Sequence, residues 1–367
     1  MLKKENHPRT KKKREANVII TAAGGIIAQG IIKSLKLANI SAHSKIKYRL
    51  ITTDLSPRAA GLYRSDLGIL VPPSSSSSYI KTLIRLADDE KIDAIYPASD
   101  EELLVIGKAR KKIEQETEAK VLTSPVDVLI TARDKWKTYL FLSRNNLPAA
   151  KSALPQHRES IIQEFGFPLV VKPREGYGSL HFYLAKDNEE LNHSITKIQR
   201  AGWHPIIQEY LKGDMEFTTG VTVDESGSQV MSSISIKKTI KNGQTYKAHI
   251  DDFRDIRRYS ESVALKLGAR GAVNIQAKLT DDGLPKVFEI NPRFSATCPM
   301  RSAAGINEPD IVFRNTCLGE LIKIPDYQTL LCLRYWNELY IPIPAYDLFC
   351  KQGKVKSQND SFILKYF

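Results

Sequence analysis

Cysteine is scarce in this chain of 367 residues, and the four present, Cys298, Cys317, Cys332 and Cys350, show no paired spacing. A disulfide framework or a Cys-x-x-Cys metal site needs such pairs, so neither is expected, and the thiols read as reduced in a cytoplasmic protein. Long apolar runs are also missing. None approaches the ~20 residues of a membrane helix, and the charged N-terminus is not followed by the apolar segment of a secretory signal. No internal repeat is visible. No serine–histidine or cysteine–histidine constellation is apparent, so a covalent nucleophile is not expected. The histidines nearest the loops discussed below, His181 and His249, read as structural or substrate-facing.

What is present is an ordinary globular composition, 42% hydrophobic and 26% charged, in a chain long enough for two or three domains with cores. The formal net charge of +13 raises the question of nucleic acid. Lys3, Lys4, Arg9, Lys11, Lys12, Lys13 and Arg14, opposed only by Glu5 and Glu15, place much of it in the first residues. The remainder is dispersed, with no basic stripe interleaved with aromatics, so a solvated, disordered tail over 1–16 is expected and a nucleic-acid partner is not.

From Asn17 the pattern alternates. "VIITAA" reads as a buried strand, "IAQGIIKSLKLA" as an amphipathic helix, "KYRLITTDLS" as a strand, "YIKTLIRLADDEK" as a helix and "IDAIYPASD" as a strand. Such alternation implies a parallel sheet with right-handed crossovers, here a first α/β domain over 17–124. Residues 133–146 then read as one helix. "FPLVVKPREGYGSLHFYLA" and "PIIQEYLKGDMEFTTGVTV" each read as strand, loop and strand, and "RRYSESVALKLGA" as a helix leading into the hairpin "AVNIQAKLTDDGLPKVFEINPRF".

"GGIIAQGIIKS", Gly24 to Ser34, looks like a phosphate-binding loop. A P-loop needs lysine directly after the second glycine. Ile31 and Ile32 intervene, and two residues of helix turn Lys33 by about 200° away from such a site. The Gly-x-Gly-x-x-Gly fingerprint fails too, which leaves Asp54 a turn residue. Nucleotide is therefore expected elsewhere.

The late hairpin is the stronger candidate. Alternate side chains of a strand share a face, so Glu289 and Asn291 point together, with Phe288 and Ile290 on the other side. A two-residue turn at Asp282–Gly283 sets Gln276 opposite Glu289 and Asn274 opposite Asn291, with Cβ atoms ~5 Å apart. One carboxylate with amide oxygens suits Mg²⁺ shared with phosphates. The plainer alternative is an exposed strand face decorated with amides, and Pro285 signals irregularity near the turn. Arg293 follows on the polar face, placed to fork onto phosphoryl oxygens. Lys172 ends an apolar strand before a loop whose Gly176 and Gly178 let backbone approach phosphates. The segment Glu209 to Leu211 reads as a hinge that could bond an adenine through its main chain, with Glu216 toward a ribose.

With "ARDKWKT", "VVKPREGYGS", "QEYLKGDMEF", "GAVNIQAKL" and "VFEINPRFS" in this order, the chain resembles the ATP-grasp superfamily, in its carbamoyl-phosphate-synthase-like branch. The resemblance runs from Asn17 to about Pro325. It implies an α/β and α+β architecture: an N-terminal parallel-sheet domain preceding two subdomains, 125–205 and 206–325, that clamp ATP, with 326–367 as an extension. It further implies Lys135 and Lys172 at the phosphates, Glu209 and Leu211 at the adenine, Glu216 at the ribose, Gln276, Glu289 and Asn291 on magnesium, and Arg293 with Lys238 at the transferring phosphoryl group. Cofactors implied are ATP and two Mg²⁺ ions, with Mn²⁺ as a substitute.

The activity this resemblance implies is ligation of a small-molecule carboxylate to an amine through an acyl phosphate. Phosphorylation of a small acid without ligation is the alternative. The chain is too short for a whole carbamoyl-phosphate synthase and shows no glutamine-hydrolysing segment. Arg301, Arg254 and Lys247 are candidates for gripping substrate carboxylates, surface solvation being the other reading, and a homodimer is common among such proteins.

Overall fold

A computed structural model describes residues 13–176, 180–213, 215–241, 243–281, 283–335 and 337–356. Its first unit is the expected α/β domain. Strands β1 (Arg14–Ile20), β2 (Ile46–Asp54), β3 (Leu67–Leu70), β4 (Ala94–Tyr96) and β5 (Lys120–Val121) are parallel, in the order β3-β2-β1-β4-β5. Helices α1 (Ile26–Ile40), α2 (Tyr79–Asp89) and α3 (Asp100–Glu116) make the crossovers. The strand begins earlier than expected: Arg14 pairs with Ile46, and Lys13 Nζ donates to the carbonyls of Asn39 and Ser41. The rest of the basic tail, 1–12, lies outside the described residues.

The helix expected over 133–146 is α5 (Lys135–Arg144), and a further helix, α4 (Val126–Arg133), precedes it. Asp134 divides them because its carboxylate accepts from the amides of Trp136 and Lys137, capping α5. Both helices pack into the core of the large antiparallel sheet described below, where Val128, Ala132 and Leu142 meet Val273, Val287 and Ile290.

A four-stranded antiparallel sheet follows, built from β6 (Ser152–Ala153), β7 (Leu169–Pro173), β8 (Tyr183–Ala185) and β9 (Pro205–Glu209) in the order β6-β9-β7-β8. Helices α6 (Arg158–Phe165) and α7 (Asn188–Arg200) cover one face through Ile161, Leu191 and Ile198.

The large sheet takes β10 (Glu216–Val223), β11 (Val230–Lys241) and β12 (Gln244–Ile250), then β13 (Gly271–Leu279) and β14 (Pro285–Asn291) after helix α8 (Arg254–Leu267). Period-two patterning sorts its residues. Val221, Val273 and Ile275 face α8. Thr218, Asn274 and Gln276 take the opposite face. One end of that face packs on α9 (Cys298–Ala304), α10 (Glu308–Leu318) and the N-terminal domain, in a shared core that joins Met231 and Ile234 to Ile31 and Phe313. The other end is left facing the four-stranded sheet.

The C-terminal extension is not a separate unit. Strand β15 (Leu330–Leu333) pairs with β12 at the edge of the large sheet, and after α11 (Ile343–Gln352) strand β16 (Lys354–Val355) returns to pair antiparallel with β3. No helix among the described residues is long and apolar enough to cross a membrane.

Candidate active site

A cavity of about 450 Å³ opens between the two antiparallel sheets. Among the described residues that line it, six cationic side chains, Lys135, Lys172, Lys238, Lys278, Arg293 and Arg334, outnumber three carboxylates, Glu209, Glu216 and Glu289. Such an excess favours an anionic occupant.

The hairpin sets the polar floor. Gln276 pairs with Glu289 and Asn274 with Asn291, the expected register. It arises differently from the expected two-residue turn. Leu279 pairs with Pro285, and Thr280 N bonds Leu284 O at 3.0 Å, closing a loop one residue longer. A bulge between Ala277 and Gln276 absorbs the offset. Asp282 lies outside the described residues. The bulge overturns one expectation: Phe288 lines the cavity beside Glu289, while Val287 and Ile290 enter the core.

These floor residues are already wired to cations. Gln276 Nε2 donates to Glu289 Oε2 at 2.9 Å, and Lys238 Nζ donates to Gln276 Oε1 at 2.5 Å and lies 2.9 Å from Glu216 Oε1. Asn291 Oδ1 accepts from Arg293 Nη2 at 3.0 Å. Asn274 is spent elsewhere, its Oδ1 taking bonds from Thr218 Oγ1 and Arg301 Nη2. The oxygens of Gln276, Glu289 and Asn291 thus stabilise positive charge, which suits a hard divalent cation. With a single carboxylate among them, such an ion needs further oxygens from a ligand.

Two lysines reach over this floor. Lys135 opens α5, and its Nζ donates to Gly176 O at 2.6 Å and stands 3.6 Å from Glu289 Oε1. Lys172 is the penultimate residue of β7, with Nζ 3.5 Å from Phe288 O and 5.3 Å from the Phe288 ring centroid. Burial, with Lys135 beside it, pulls the Lys172 ammonium down to about 8. A Cβ on Gly176 would come within 2.9 Å of Pro173, so the loop's tight return needs glycine. Gly178 lies outside the described residues.

Glu209, Tyr210 and Leu211 link the two sheets along the wall. The Glu209 carboxylate is fully engaged, accepting from Lys286 Nζ at 3.0 Å and from Lys151 N at 2.7 Å. Lys278 holds the far side of this link through Leu211 O and Gly213 O.

The family model described as an ATP-grasp domain matches residues 132–297, and that described as a PylC-like, N-terminal domain matches residues 26–122. The chain carries an ATP-grasp domain. Among curated relatives, the carbamoyl phosphate synthase large chain of Helicobacter pylori strain 26695 is 28% identical over 204 residues, 51% of this chain but 18% of the relative. The chain therefore spans about a fifth of the relatives it matches. Among solved structures, N5-carboxyaminoimidazole synthetase from Staphylococcus aureus complexed with ADP superposes with a TM-score of 0.68 at 15% identity, over 94% of this chain and 87% of that one. The biotin carboxylase domain dimer of Hydrogenobacter thermophilus 2-oxoglutarate carboxylase, in complex with MgADP, ADP and bicarbonate, gives 0.65 at 16% identity, over 84% and 71%.

The ATP-grasp cleft does not gather every expected residue. Arg301 is fully buried, with Nη1 3.2 Å from both Glu308 carboxylate oxygens, and it does not line the cavity. Arg254 starts α8 at the surface, paired with Asp252 at 2.9 Å, and Lys247 is exposed on β12. Neither these two nor His181 and His249 border the cavity. The Gly24 turn is held by Asp54, Gly24 N donating to Asp54 Oδ2 at 2.8 Å. Beyond it Ile26 and Ile27, on the first turn of α1, reach the cavity wall.

Sequence reasoning passed over three groups at or behind the cleft: Phe288 and Arg334, which line it, and Asp100. Asp100 holds Arg293 from the N-terminal domain. Its only sequence signal is the capping pattern Ser99-x-x-Glu102 that fixes the start of α3.

Proposed function

We propose that this chain is an ADP-forming ligase that activates a carboxylate with ATP and joins it to an amine. The observation that carries the reading is the meeting of Lys135, Lys172 and Lys238 with Gln276, Glu289, Asn291 and Arg293 in one cleft between two antiparallel sheets. The ADP bound by the Staphylococcus aureus neighbour supports a nucleotide in the same cleft.

In this reading the lysines neutralise the phosphates, and Phe288 with the Glu209–Leu211 link holds the nucleoside. A carboxylate oxygen attacks the γ-phosphorus and ADP leaves. The amine nitrogen then attacks the acyl carbon of the mixed anhydride and phosphate leaves. Gln276, Glu289 and Asn291 would hold magnesium, which supplies charge neutralisation at the phosphates. The chain's own work is positioning and charge stabilisation, with Arg293 and Lys238 aimed at the transferring group.

The test is a screen of small acids paired with amines for magnesium-dependent ADP release, with product mass read in parallel. Glu289→Ala is expected to abolish release without loss of fold. Normal turnover by that variant would remove the metal assignment, and ADP release without an amide product would leave only phosphorylation. The dimeric biotin carboxylase neighbour supports a homodimer in the same reading, checked by sedimentation.

A further inference from the structure

Where Arg334 lines the cleft, two further cations, Lys33 and Arg64, lie within electrostatic reach, and no carboxylate answers them among the described residues. Arg334, just past β15, lines the cavity and is fixed by its amide on Tyr246 O and its Nη2 on Ala296 O at 2.8 Å. Lys33 is exposed on α1, next to Ser34, whose Oγ donates to Cys298 Sγ at 3.5 Å at the contact with α9. Arg64, near enough to act on Lys33, ends the short helical turn Ala60–Arg64.

None of the three forms an ion pair among the described residues. Burial, then Arg334 and Arg64, pull the Lys33 ammonium below its ordinary value, and burial lowers both guanidinium groups. The neighbours that oppose the shift at Lys33 are thiols, Cys298 and Cys332. Half-sheltered like charges repel, and a fold keeps them together at a loss of stability unless a ligand relieves it.

We infer that Arg334, backed by Lys33 and Arg64, forms a subsite for a second acidic group of the substrate, a carboxylate or phosphoryl group separate from the carboxylate that is activated. The inference rests on the ligase reading for its second substrate group, but its electrostatics stand apart from the nucleotide site. Arginine suits either group, because its planar fork matches two oxygens at once.

The test uses the full chain saturated with MgADP, which fills the α- and β-phosphate positions. The comparison with Arg334→Gln separates anions held at the subsite from anions held at the vacant γ-phosphate position. Succinate and inorganic phosphate are titrated calorimetrically into wild type, Arg334→Gln and Lys33→Gln. At least one anion is expected to bind wild type, and Arg334→Gln is expected to weaken it by about tenfold or more, the value of one lost charge-assisted contact. Lys33→Gln, an exposed change that relieves repulsion, is expected to weaken it less and to leave thermal stability intact. Stronger binding of succinate identifies a carboxylate and of phosphate a phosphoryl group.

Failure of both anions to bind wild type, or equal binding by Arg334→Gln, overturns the subsite. Should MgADP itself not bind wild type, the ligase reading fails on its own. The same titrations without nucleotide, compared between wild type and Arg334→Gln, then decide the subsite separately.

Discussion

Arg293 grips Asp100 across 193 residues of chain with two parallel bonds, Nε to Oδ1 and Nη2 to Oδ2, each 2.8 Å. Burial and the Arg293 guanidinium act on the Asp100 carboxyl in opposite directions, and the guanidinium prevails, holding it below the usual range. Because Asp100 opens α3 behind the Ser99 cap, the N-terminal domain aims an arginine of the ATP-grasp domain. Asp100→Asn keeps the shape but removes the charge. It is expected to lower the rate of ADP formation by about ten- to a hundredfold, as loss of a preorganised electrostatic contact does, with little change in KM for ATP. Steady-state kinetics of Asp100→Asn, Arg293→Lys and the double variant check this. A shared function predicts a double no slower than the worse single, whereas additive losses would separate the two residues.

Lys172 carries a pH signature. Its folded value of about 8 lies below the ordinary 10.5. Below pH 8 the ammonium is charged in both folded and unfolded chains, so its burial exerts its full penalty, about 3 kcal/mol. The penalty fades as pH rises from 8 to 10.5. Phosphates beside it would restore the higher value. Nucleotide binding near pH 8 is therefore expected to take up protons, and affinity to fall as pH rises above 8. Calorimetry in two buffers of different ionisation enthalpy measures the uptake. Lys172→Met is expected to melt higher than wild type yet bind MgADP more weakly, and zero uptake with unchanged affinity would place the phosphates elsewhere.

Arg301 is a residue of the fold. Its guanidinium bridges Glu308, Asn274 and Thr218, in space that only Gly220 leaves open, since a Cβ there would lie 1.7 Å from Glu308 Oε1. Arg301→Met leaves Glu308 buried and unpaired, and is expected to cost about 3–5 kcal/mol of stability. Adding Glu308→Leu should recover most of it. Denaturant unfolding of the single and double variants decides between this and a substrate-gripping role, which would lower catalysis without touching the unfolding midpoint.

How much of the site was legible follows from where its information lies. The meeting of Gln276 with Glu289 could be read because strand periodicity and hairpin pairing are local rules, and both residues sit on one hairpin. The start of α5 was legible to within two residues, and only the capping role of Asp134 went unread, because a side chain bonding backbone amides leaves no mark on the pattern of apolar positions. The roles of Arg301 and Asp100 could not be read at all. Their partners are chosen by how α9 meets α10 and how the N-terminal domain seats on the large sheet. A charged residue's neighbours across domains leave no periodic trace, and the same holds for Arg334, which reaches the cleft only because β15 completes the sheet.

The bulge at Phe288 gives the last prediction. Strict alternation would bury this ring against α8, whereas the bulge turns it into the cleft beneath Lys172. A cation above an aromatic face and a planar base beside it are both favourable contacts, and in the ligase reading the ring takes the base while Lys172 takes the phosphates. The two differ in what a truncation removes. If the ring supports the base, Phe288→Ala is expected to weaken ADP by about tenfold, within the ~1–3 kcal/mol of a stacked base, while inorganic tripolyphosphate binds as before. If the ring acts only through Lys172, both ligands weaken together. Phe288→Leu, which keeps the apolar volume and the strand register that aligns Glu289 with Gln276, should retain most ADP affinity. Its magnesium dependence should match wild type, so a shifted magnesium requirement in Phe288→Leu would mean that the bulge, and not the ring, is what the mutation disturbs.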